Sequence, residues 1–346
     1  MTTLKSLAVE NFVALHQRLE WCDHASLIVI LRVEDTGKTH LLKLLYIMMR
    51  SIEDYLKKRS GPEAKELAEL LSSKLRWTVL PQKMKRGQLI TRGSDNRLSA
   101  DLRWNGDGRL RFGFGRHITE IETEEIGELS GHKATILLPK EIPSIFDAIV
   151  ATCEPQEIAS FNETDYDWVR DFHQPTDRDE VEMQYHCSIM LRQGKESFKM
   201  HQTAEGIKKI GILSRLIRNR RLTPAGDCML FIAEPEVNLH PKAIVLFVDM
   251  PHKFAQSGVQ IHMTTHSFYI LKRLKQLAHK HQTDYFLLDL RMQEADGVVG
   301  SVTRLSDSLP MNPIVEYSLG LYETDVSTGT LIAPPTFNPD ADRAAA

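Results

Sequence analysis

The sequence predicts an α/β fold, and three of its segments carry that prediction. The apolar run at residues 26–31 is followed by a Gly-Lys-Thr turn and by a helical pattern of leucines and methionines. The apolar run at residues 228–232 leads directly to Glu234. Between these segments, residues 77–140 contain short strand patterns separated by glycines. We therefore expect a mixed central sheet, an added antiparallel β meander and a helical arm.

The turn after the first of these runs has the composition of a phosphate-binding loop. In such loops, backbone N–H groups and the following helix N-terminus face the phosphates, a lysine reaches the outer phosphates and a threonine hydroxyl ligates Mg²⁺. Lys38 and Thr39 are the residues predicted for the last two roles. Arg32 stands where the full pattern has its first glycine, so the loop is altered. The predicted nucleotide-binding residues are Asp35, Thr36, Gly37, Lys38, Thr39 and His40.

Hydrophobic periodicity places the other elements along the chain. It predicts strands at residues 4–13, 15–21 and 26–31, and helices from 38 to about 58 and at 63–75. The triplet Ser60-Gly61-Pro62 separates the two helices, because glycine and proline disfavour a continued helix. Further along, we expect helices near residues 207–217 and 243–254, and strands at 185–191, 228–232, 259–264, 285–290 and 299–304. Residues 331–346 are predicted to be disordered.

The middle of the chain differs in composition from both ends. The run Asn105-Gly106-Asp107-Gly108 is a hairpin signal, and residues 98–102, 110–114 and 133–138 are the short strands of the expected meander. Residues 143–181 are helical in pattern and acidic. We interpret them as a solvated helical arm, with a metal site as the alternative.

Composition and charge limit the class of protein. Charged residues make up 26% of the chain and hydrophobic residues 42%, which is ordinary for a globular protein. The net charge of −3 gives no overall sign of nucleic-acid binding. The four cysteines have no C-x-x-C spacing, which fits a reducing cytosol. No apolar run has the length of a bilayer span. We expect a cytoplasmic protein that does not enter the membrane.

Two segments of the second half carry further polar residues at strand ends. Glu234 lies just beyond the carboxyl end of a predicted buried strand, where open α/β sheets bind their ligands. The string from Glu234 continues as Pro-Glu-Val-Asn-Leu-His-Pro, and the strand at 259–264 runs into Thr265, His266 and Ser267. A lone histidine is often structural, but this setting favours a functional role for His266.

The order of these motifs resembles the ABC-type ATPase heads of the SMC, RecF and OLD group, which are P-loop NTPases often described as AAA-family ATPases. The matching residues are Asn11-Phe12, Gly37-Lys38-Thr39, the string around Glu234 and the Thr-Thr-His-Ser segment, spread over residues 4–305. The Glu-Pro-Glu-x-Asn-Leu-His-Pro string favours the compact RecF and OLD branch. SMC heads also carry long coiled coils, which this chain lacks.

The resemblance implies specific roles. Lys38 and the loop amides would bind the β- and γ-phosphates of ATP, and Thr39 would ligate Mg²⁺. Glu234 would polarise the attacking water and His266 would contact the γ-phosphate, so both are predicted catalytic residues. These roles suit phosphoryl transfer, which depends mainly on positioning and on stabilising charge. Gln82 is a weaker candidate for the family's glutamine that contacts the metal and the water.

Three positions depart from the family pattern. Ala233 stands where the Walker B aspartate helps to hold Mg²⁺, and Ala204, next to Thr203, stands where the signature serine reaches the partner subunit's ATP. Arg32 is the third. The resemblance divides the chain into an N-terminal part of the ATPase core (1–76), an inserted meander and acidic arm (77–182), a C-terminal part of the core (183–305) and a C-terminal extension with the tail (306–346).

The leading functional hypothesis is an ATP-binding, slowly hydrolysing head that forms a homodimer or higher homo-oligomer around ATP. Compact bacterial members of the group often act in DNA repair or phage defence. No toprim-like or HNH-like segment follows residue 305, so the resemblance implies a separate nuclease or toxin-like effector. The alternatives are a non-hydrolysing nucleotide-binding scaffold and a DNA-repair head that binds DNA. A basic patch is the candidate DNA-binding surface, and its alternative interpretation is a solvated helix face beside the dimer seam. Its residues are Lys208, Lys209, Arg215, Arg218, Arg220 and Arg221.

Overall fold

The computed structural model describes a large part of the chain. The described residues are 3–12, 15, 18–22, 26–31, 38–57, 64–78, 98–105, 107–114, 118–137, 179–184, 188–193, 196–199, 213, 216–217, 222, 228–293, 297–307, 315–318, 320–321 and 323. Several predictions fall outside them and stay predictions. These concern Arg32, the loop residues Asp35, Thr36 and Gly37, Gln82, the acidic arm, the Thr203–Ala204 segment, the basic residues between 208 and 221, and the tail.

The elements follow one another largely as the sequence pattern predicts. The strands are β1 (Leu4–Glu10), β2 (Leu19–Cys22), β3 (Leu27–Leu31), β4 (Leu98–Trp104), β5 (Gly108–Phe114), β6 (Ile118–Glu124), β7 (Lys133–Leu137), β8 (Asp179–Gln184), β9 (Ser188–Gln193), β10 (Glu196–Lys199), β11 (Cys228–Ala233), β12 (Gln260–Thr265), β13 (Phe286–Gln293) and β14 (Gly297–Arg304). The α-helices are α1 (Lys38–Lys57), α2 (Ala64–Thr78), α3 (Pro241–Gln256) and α4 (Phe268–His281).

The central sheet has the strand order β14-β13-β3-β12-β11-β7. All neighbours in it are parallel except β13 and β14, which are antiparallel. Every residue of β3, β11 and β12 is buried. This explains why β3 and β11 are nearly continuous apolar runs, since parallel strands are covered by other layers on both faces. Strand β12 is equally buried, although four of its residues, Gln260, His262, Thr264 and Thr265, are polar. The carboxyl ends of β3, β11 and β12 therefore lie side by side at one edge.

A second sheet, with the order β2-β1-β4-β5-β6, is antiparallel throughout. Strands β4 and β5 alternate buried residues with more exposed ones, as expected for a sheet with one covered face. The predicted fold class, a mixed central sheet with an antiparallel meander, is confirmed. A small third sheet has the order β10-β9-β8. Strand β9 matches the later part of the strand predicted at 185–191. Strand β8 begins at Asp179, so the helical pattern predicted for 143–181 is wrong at its last three residues.

Strand β7 differs from its expected place. Its sequence position made it the last strand of the meander, but it lies parallel to β11 at the edge of the central sheet. The Glu53 carboxylate on α1 accepts a hydrogen bond from the Ala134 backbone N–H at 3.2 Å, which ties this strand to the helix. Pairing across about ninety residues of chain cannot be read from local periodicity, because the short apolar run of β7 does not identify its partner strand.

The core forms two clusters, one on each face of the central sheet. On one face, Ile28 and Ile30 of β3 pack together with α1, α2 and the antiparallel sheet. On the other face, Leu27 and Val29 pack together with α3 and α4. The side chain of Gln260 joins the layers, because its Oε1 accepts a hydrogen bond from the Leu4 N–H at 3.0 Å. Within the described residues, we find no helix with both the length and the apolar character needed to span a membrane.

Helix α4 is an element that the sequence reasoning missed. Its buried residues Ile270, Leu271, Leu274, Leu277 and Ala278 have helical spacing, but six basic or histidine residues interrupt the apolar pattern. The helix packs on α3 through a paired contact, in which Arg273 Nε and Nη2 donate to the two carboxylate oxygens of Asp249 at 2.8 and 2.9 Å. Because α4 begins two residues after His266, its packing fixes the position of that histidine.

A buried histidine in the same layer predicts a dependence of stability on pH. His252 of α3 lies 2.6 Å from the Tyr285 hydroxyl oxygen, and its ring centroid is 4.6 Å from that of exposed His281. Burial, followed by the proximity of His281, lowers the pKa of His252 from 6.5 to about 4. Below pH 6.5 the unfolded chain binds a proton at this histidine, whereas the folded chain does not until the pH nears 4. The free energy of unfolding therefore decreases as the pH is lowered. The expected loss between pH 7 and pH 5 is about 2 kcal/mol.

Urea denaturation at pH 7 and pH 5 measures this loss. In His252→Gln the difference between the two pH values should shrink by most of this amount, whereas the exposed His279→Gln variant of α4 should keep it. Equal pH dependence in the wild type and in His252→Gln would contradict the assignment.

Candidate functional site

Lys38 is the first residue of α1 and is 7% exposed. Its Nζ lies 3.3 Å from Glu234 Oε1 and donates a hydrogen bond to His266 Nε2. A buried ammonium group is stable only when it is paired or solvated. The two partners supply that pairing. One of the three Lys38 N–H donors remains for a further acceptor.

Glu234 is placed by the turn that follows β11. Its φ of 45° lies in the left-handed region, which is unfavourable for a residue with a Cβ. Its backbone N–H donates to the Thr264 carbonyl oxygen at 2.9 Å, which anchors the turn to the neighbouring strand β12. Unusual backbone angles of this kind occur often at functional sites, where surrounding contacts maintain them. The carboxylate of Glu234 consequently points to the same edge of the sheet as Lys38.

His266 follows β12 directly and lies near both groups. Its Nε2 is 3.7 Å from Glu234 Oε1. Its backbone N–H donates to Glu236 Oε1 at 2.6 Å, and the Thr265 hydroxyl donates to the same oxygen at 2.9 Å. The Ser267 N–H donates to the Thr265 Oγ1 at 2.9 Å. These bonds hold the turn between β12 and α4 against the turn that follows β11.

The remaining predicted residues of α1 are near the same edge. Thr39 and His40 are half-buried and directly follow Lys38 in the first turn of α1. Burial and then the charge of Lys43 lower the pKa of His40, so this side chain is neutral at neutral pH. The first N–H groups of a helix have no partner within the helix, so the start of α1 favours an anion.

The donor set matches Mg²⁺ carried by a nucleotide better than a free cation. Ala233 ends β11 and is 2% exposed, so it offers no ligand at the position of the Walker B aspartate. In the described part of the chain, no group of three or more histidine, cysteine, aspartate or glutamate side chains is placed to hold a metal ion. Mg²⁺ takes six oxygen ligands and often keeps several waters. The Thr39 hydroxyl is of the right chemistry, and phosphate oxygens and waters would complete the set.

Comparison with known proteins addresses the fold. The family model described as "AAA domain, putative AbiEii toxin, Type IV TA system" matches residues 160–272. The SMC head bound to the C-terminal winged-helix domain of ScpA is similar at 12% identity and a TM-score of 0.54, over 90% of this chain and 99% of that one. An SMC head domain from Pyrococcus furiosus, with an extended coiled coil and bound to the C-terminal domain of ScpA, is similar at 12% identity and a TM-score of 0.51, over 94% and 99%.

The chain has the fold of an SMC-type ATPase head. The resemblance to ABC-type ATPase heads, which are P-loop NTPases, is therefore confirmed at the level of fold. No curated protein matches the chain. The assignment to the RecF and OLD branch stays a prediction, as do the domain boundaries.

Of the predicted site residues, the head brings together Lys38, Glu234 and His266, with Thr39 and His40 beside them in α1. Asp35, Thr36 and Gly37 lie outside the described residues. Sequence reasoning passed over the residues that hold the site in place, namely Thr264, Thr265 and Glu236. The signal was present, since Glu236 is the second carboxylate of the Glu-Pro-Glu string, but the string does not show where that carboxylate points.

Proposed function

We propose that this head binds ATP with Mg²⁺ and hydrolyses it slowly. The observation that carries the proposal is the meeting of Lys38, Glu234 and His266 at one edge of the central sheet, from α1 and from the ends of β11 and β12. These three side chains are distant in the sequence. Their chemistry, namely a cation, a carboxylate and an imidazole beside a helix N-terminus, suits the binding and transfer of a phosphoryl group.

Each residue has a defined part in the proposed reaction. The Lys38 ammonium and the first N–H groups of α1 would bind the phosphates, and the Thr39 hydroxyl would be a ligand of Mg²⁺. Bound Mg²⁺ neutralises developing charge on the phosphate oxygens. Glu234 accepts a hydrogen bond from the attacking water and orients it, and His266 contacts the γ-phosphate. Because phosphate oxygens are strong acceptors for an ammonium group, binding draws Lys38 away from Glu234 and leaves that carboxylate available for water.

We expect hydrolysis to be slow because Ala233 has no carboxylate with which to hold Mg²⁺. Replacing Ala233 by aspartate adds a carboxylate that fixes the position of Mg²⁺, and placement is much of what phosphoryl transfer requires. We expect kcat to rise by about tenfold, which corresponds to about 1.4 kcal/mol in the barrier. The measurement is steady-state phosphate release at saturating Mg²⁺-ATP, with Ala233→Asn as the control of similar size and no charge.

This experiment also tests the proposed activity. Phosphate release by the wild type should exceed that of a Glu234→Gln blank. If the wild type equals this blank and Ala233→Asp adds nothing, the chain is a non-hydrolysing nucleotide-binding scaffold.

We further propose that ATP acts as a switch by bringing two heads together. The resemblance implies that the segment near Thr203 and Ala204 is the one with which heads of this group complete a neighbour's site. Two of the similar structures are SMC heads bound to ScpA domains, which supports a role for a partner protein here as well. The family description names a putative toxin of a type IV toxin–antitoxin system. This supports a separate effector, nuclease or toxin-like, and a place in phage defence.

A further inference from the structure

One carboxylate at the candidate site has no part in the proposed reaction. Glu236 Oε1 accepts two hydrogen bonds, from the His266 backbone N–H at 2.6 Å and from the Thr265 hydroxyl at 2.9 Å. Its other oxygen, Oε2, is buried and has no hydrogen-bond partner among the described residues. The carboxylate therefore faces the turn after β12, and not the ammonium group of Lys38.

The buried oxygen of Glu236, unpaired within the described part of the chain, lowers the stability of the folded protein. A buried carboxylate oxygen without a partner is destabilising, and hydrogen bonds to the other oxygen offset only part of that cost. The bonds that Glu236 does make are of the charge-assisted kind, which are shorter and stronger than neutral ones. They connect the two turns from which Glu234 and His266 project.

The turn that contains Glu236 is itself rigid. The Val237 N–H donates to the Glu234 carbonyl oxygen at 3.2 Å, and the Leu239 N–H donates to the Glu236 carbonyl oxygen at 3.0 Å. Helix α3 begins immediately afterwards, with Pro241 in its first turn and the His240 ring accepting from the Lys242 N–H. The Glu236 carboxylate connects this turn to the N-terminus of α4, beyond the bond from the Glu234 N–H to the Thr264 carbonyl oxygen of β12.

We propose that Glu236 is a positioning residue that sets the distance of His266 from Glu234 and Lys38. This inference rests on the proposed function, since it assigns Glu236 to the same reaction. The carboxylate holds the His266 backbone, the backbone places the imidazole, and the imidazole meets the γ-phosphate. A shift of about 1 Å in a group that contacts the reacting phosphate can lower the rate by as much as a hundredfold.

Kinetics of four variants test the proposal. In Glu236→Ala, kcat for Mg²⁺-ATP should fall by about tenfold while KM changes by less than about threefold. Glu236→Gln should retain most of the rate, because its amide oxygen accepts the same two hydrogen bonds. When Glu236→Ala is added to His266→Ala, no further fall is expected, because Glu236 acts through that histidine. Independent, multiplicative losses in the double variant, or a change confined to KM, would overturn the inference.

A second readout does not depend on turnover. The ¹⁵N signals of the His266 ring, recorded without nucleotide, should shift in Glu236→Ala and stay near the wild-type values in Glu236→Gln. Thr265→Val removes, at nearly constant volume, the hydroxyl that donates to Glu236 and accepts from the Ser267 N–H. It should also shift the ring signals, and it replaces Glu236→Ala if that variant does not fold. Unchanged ring signals in both disruptive variants would overturn the inference. If the wild type releases no phosphate, the proposed activity fails, and the ring signals alone decide whether Glu236 positions His266.

Discussion

Replacing Lys38 by alanine is expected to weaken the binding of Mg²⁺-ATP by about a hundredfold. Lys38 is the buried cation of the site, and hydrogen bonds from an ammonium group to phosphate oxygens are each worth about 1.5–3 kcal/mol. A loss of about 2.8 kcal/mol corresponds to two powers of ten in the dissociation constant. Isothermal titration calorimetry on the wild type and on Lys38→Ala measures the change.

A matched control lies at the other end of the same helix. Lys57 is the last residue of α1, and its Nζ is 3.2 Å from the Glu53 carboxylate. Lys57→Ala makes the same change of side chain at an exposed lysine, and its buried partner Glu53 keeps the ion pair with Arg50. Its ATP affinity should match that of the wild type. If Lys38→Ala binds as tightly as Lys57→Ala, the phosphate site is not at the start of α1.

Glu234→Gln is expected to lower phosphate release by at least about a hundredfold while leaving ATP bound. A positioned carboxylate that takes part in proton transfer contributes about 10²–10⁴ to a rate, and glutamine cannot accept the proton. Because the substitution also removes the negative partner of Lys38, whose Nζ lies 3.3 Å away, affinity for the phosphates should not fall. The variant should therefore accumulate in its ATP-bound form.

The same variant tests whether ATP brings two heads together. Light scattering on Glu234→Gln should give the mass of a monomer without nucleotide and twice that mass with Mg²⁺-ATP. Glu234→Gln combined with Lys38→Ala is the control, and it should remain monomeric in both conditions. A monomer throughout would remove the dimerisation proposal, and a constant dimer would remove its dependence on ATP.

The sequence predicts the parts of this molecule whose signal is local. The continuous apolar runs of β3 and β11 identify buried parallel strands, and the strand-turn-helix order predicts Lys38 at a helix start. Because parallel strands end at one edge, the nearness of Glu234 and His266 to Lys38 also follows from the pattern. The direction in which each side chain points does not follow from the pattern. Nothing in the Glu-Pro-Glu string distinguishes Glu234, which faces Lys38, from Glu236, which faces the next turn.

The sequence also does not predict which strands pair when they are far apart in the chain. Strand β7 joins the central sheet through pairs such as Ile136 with Phe231, and this partner is far away along the chain. Helix α4 has a helical period that its many basic residues obscure. In both cases the tertiary partner decides the structure, since β7 fits either sheet and α4 is covered by α3.

The parallel pairing of β3 with β12 has a consequence for how the protein is made. Leu31 pairs with Thr265, across more than two hundred residues of chain. A ribosome must therefore synthesise most of the polypeptide before the strand that carries Lys38 can meet the one that leads to His266. Pairing of strands that are far apart in the chain is slow, and strand edges that are still unpaired are prone to aggregation. The nascent N-terminal half should accordingly depend on chaperones, and it should gain affinity for nucleotide only after β12 has left the exit tunnel.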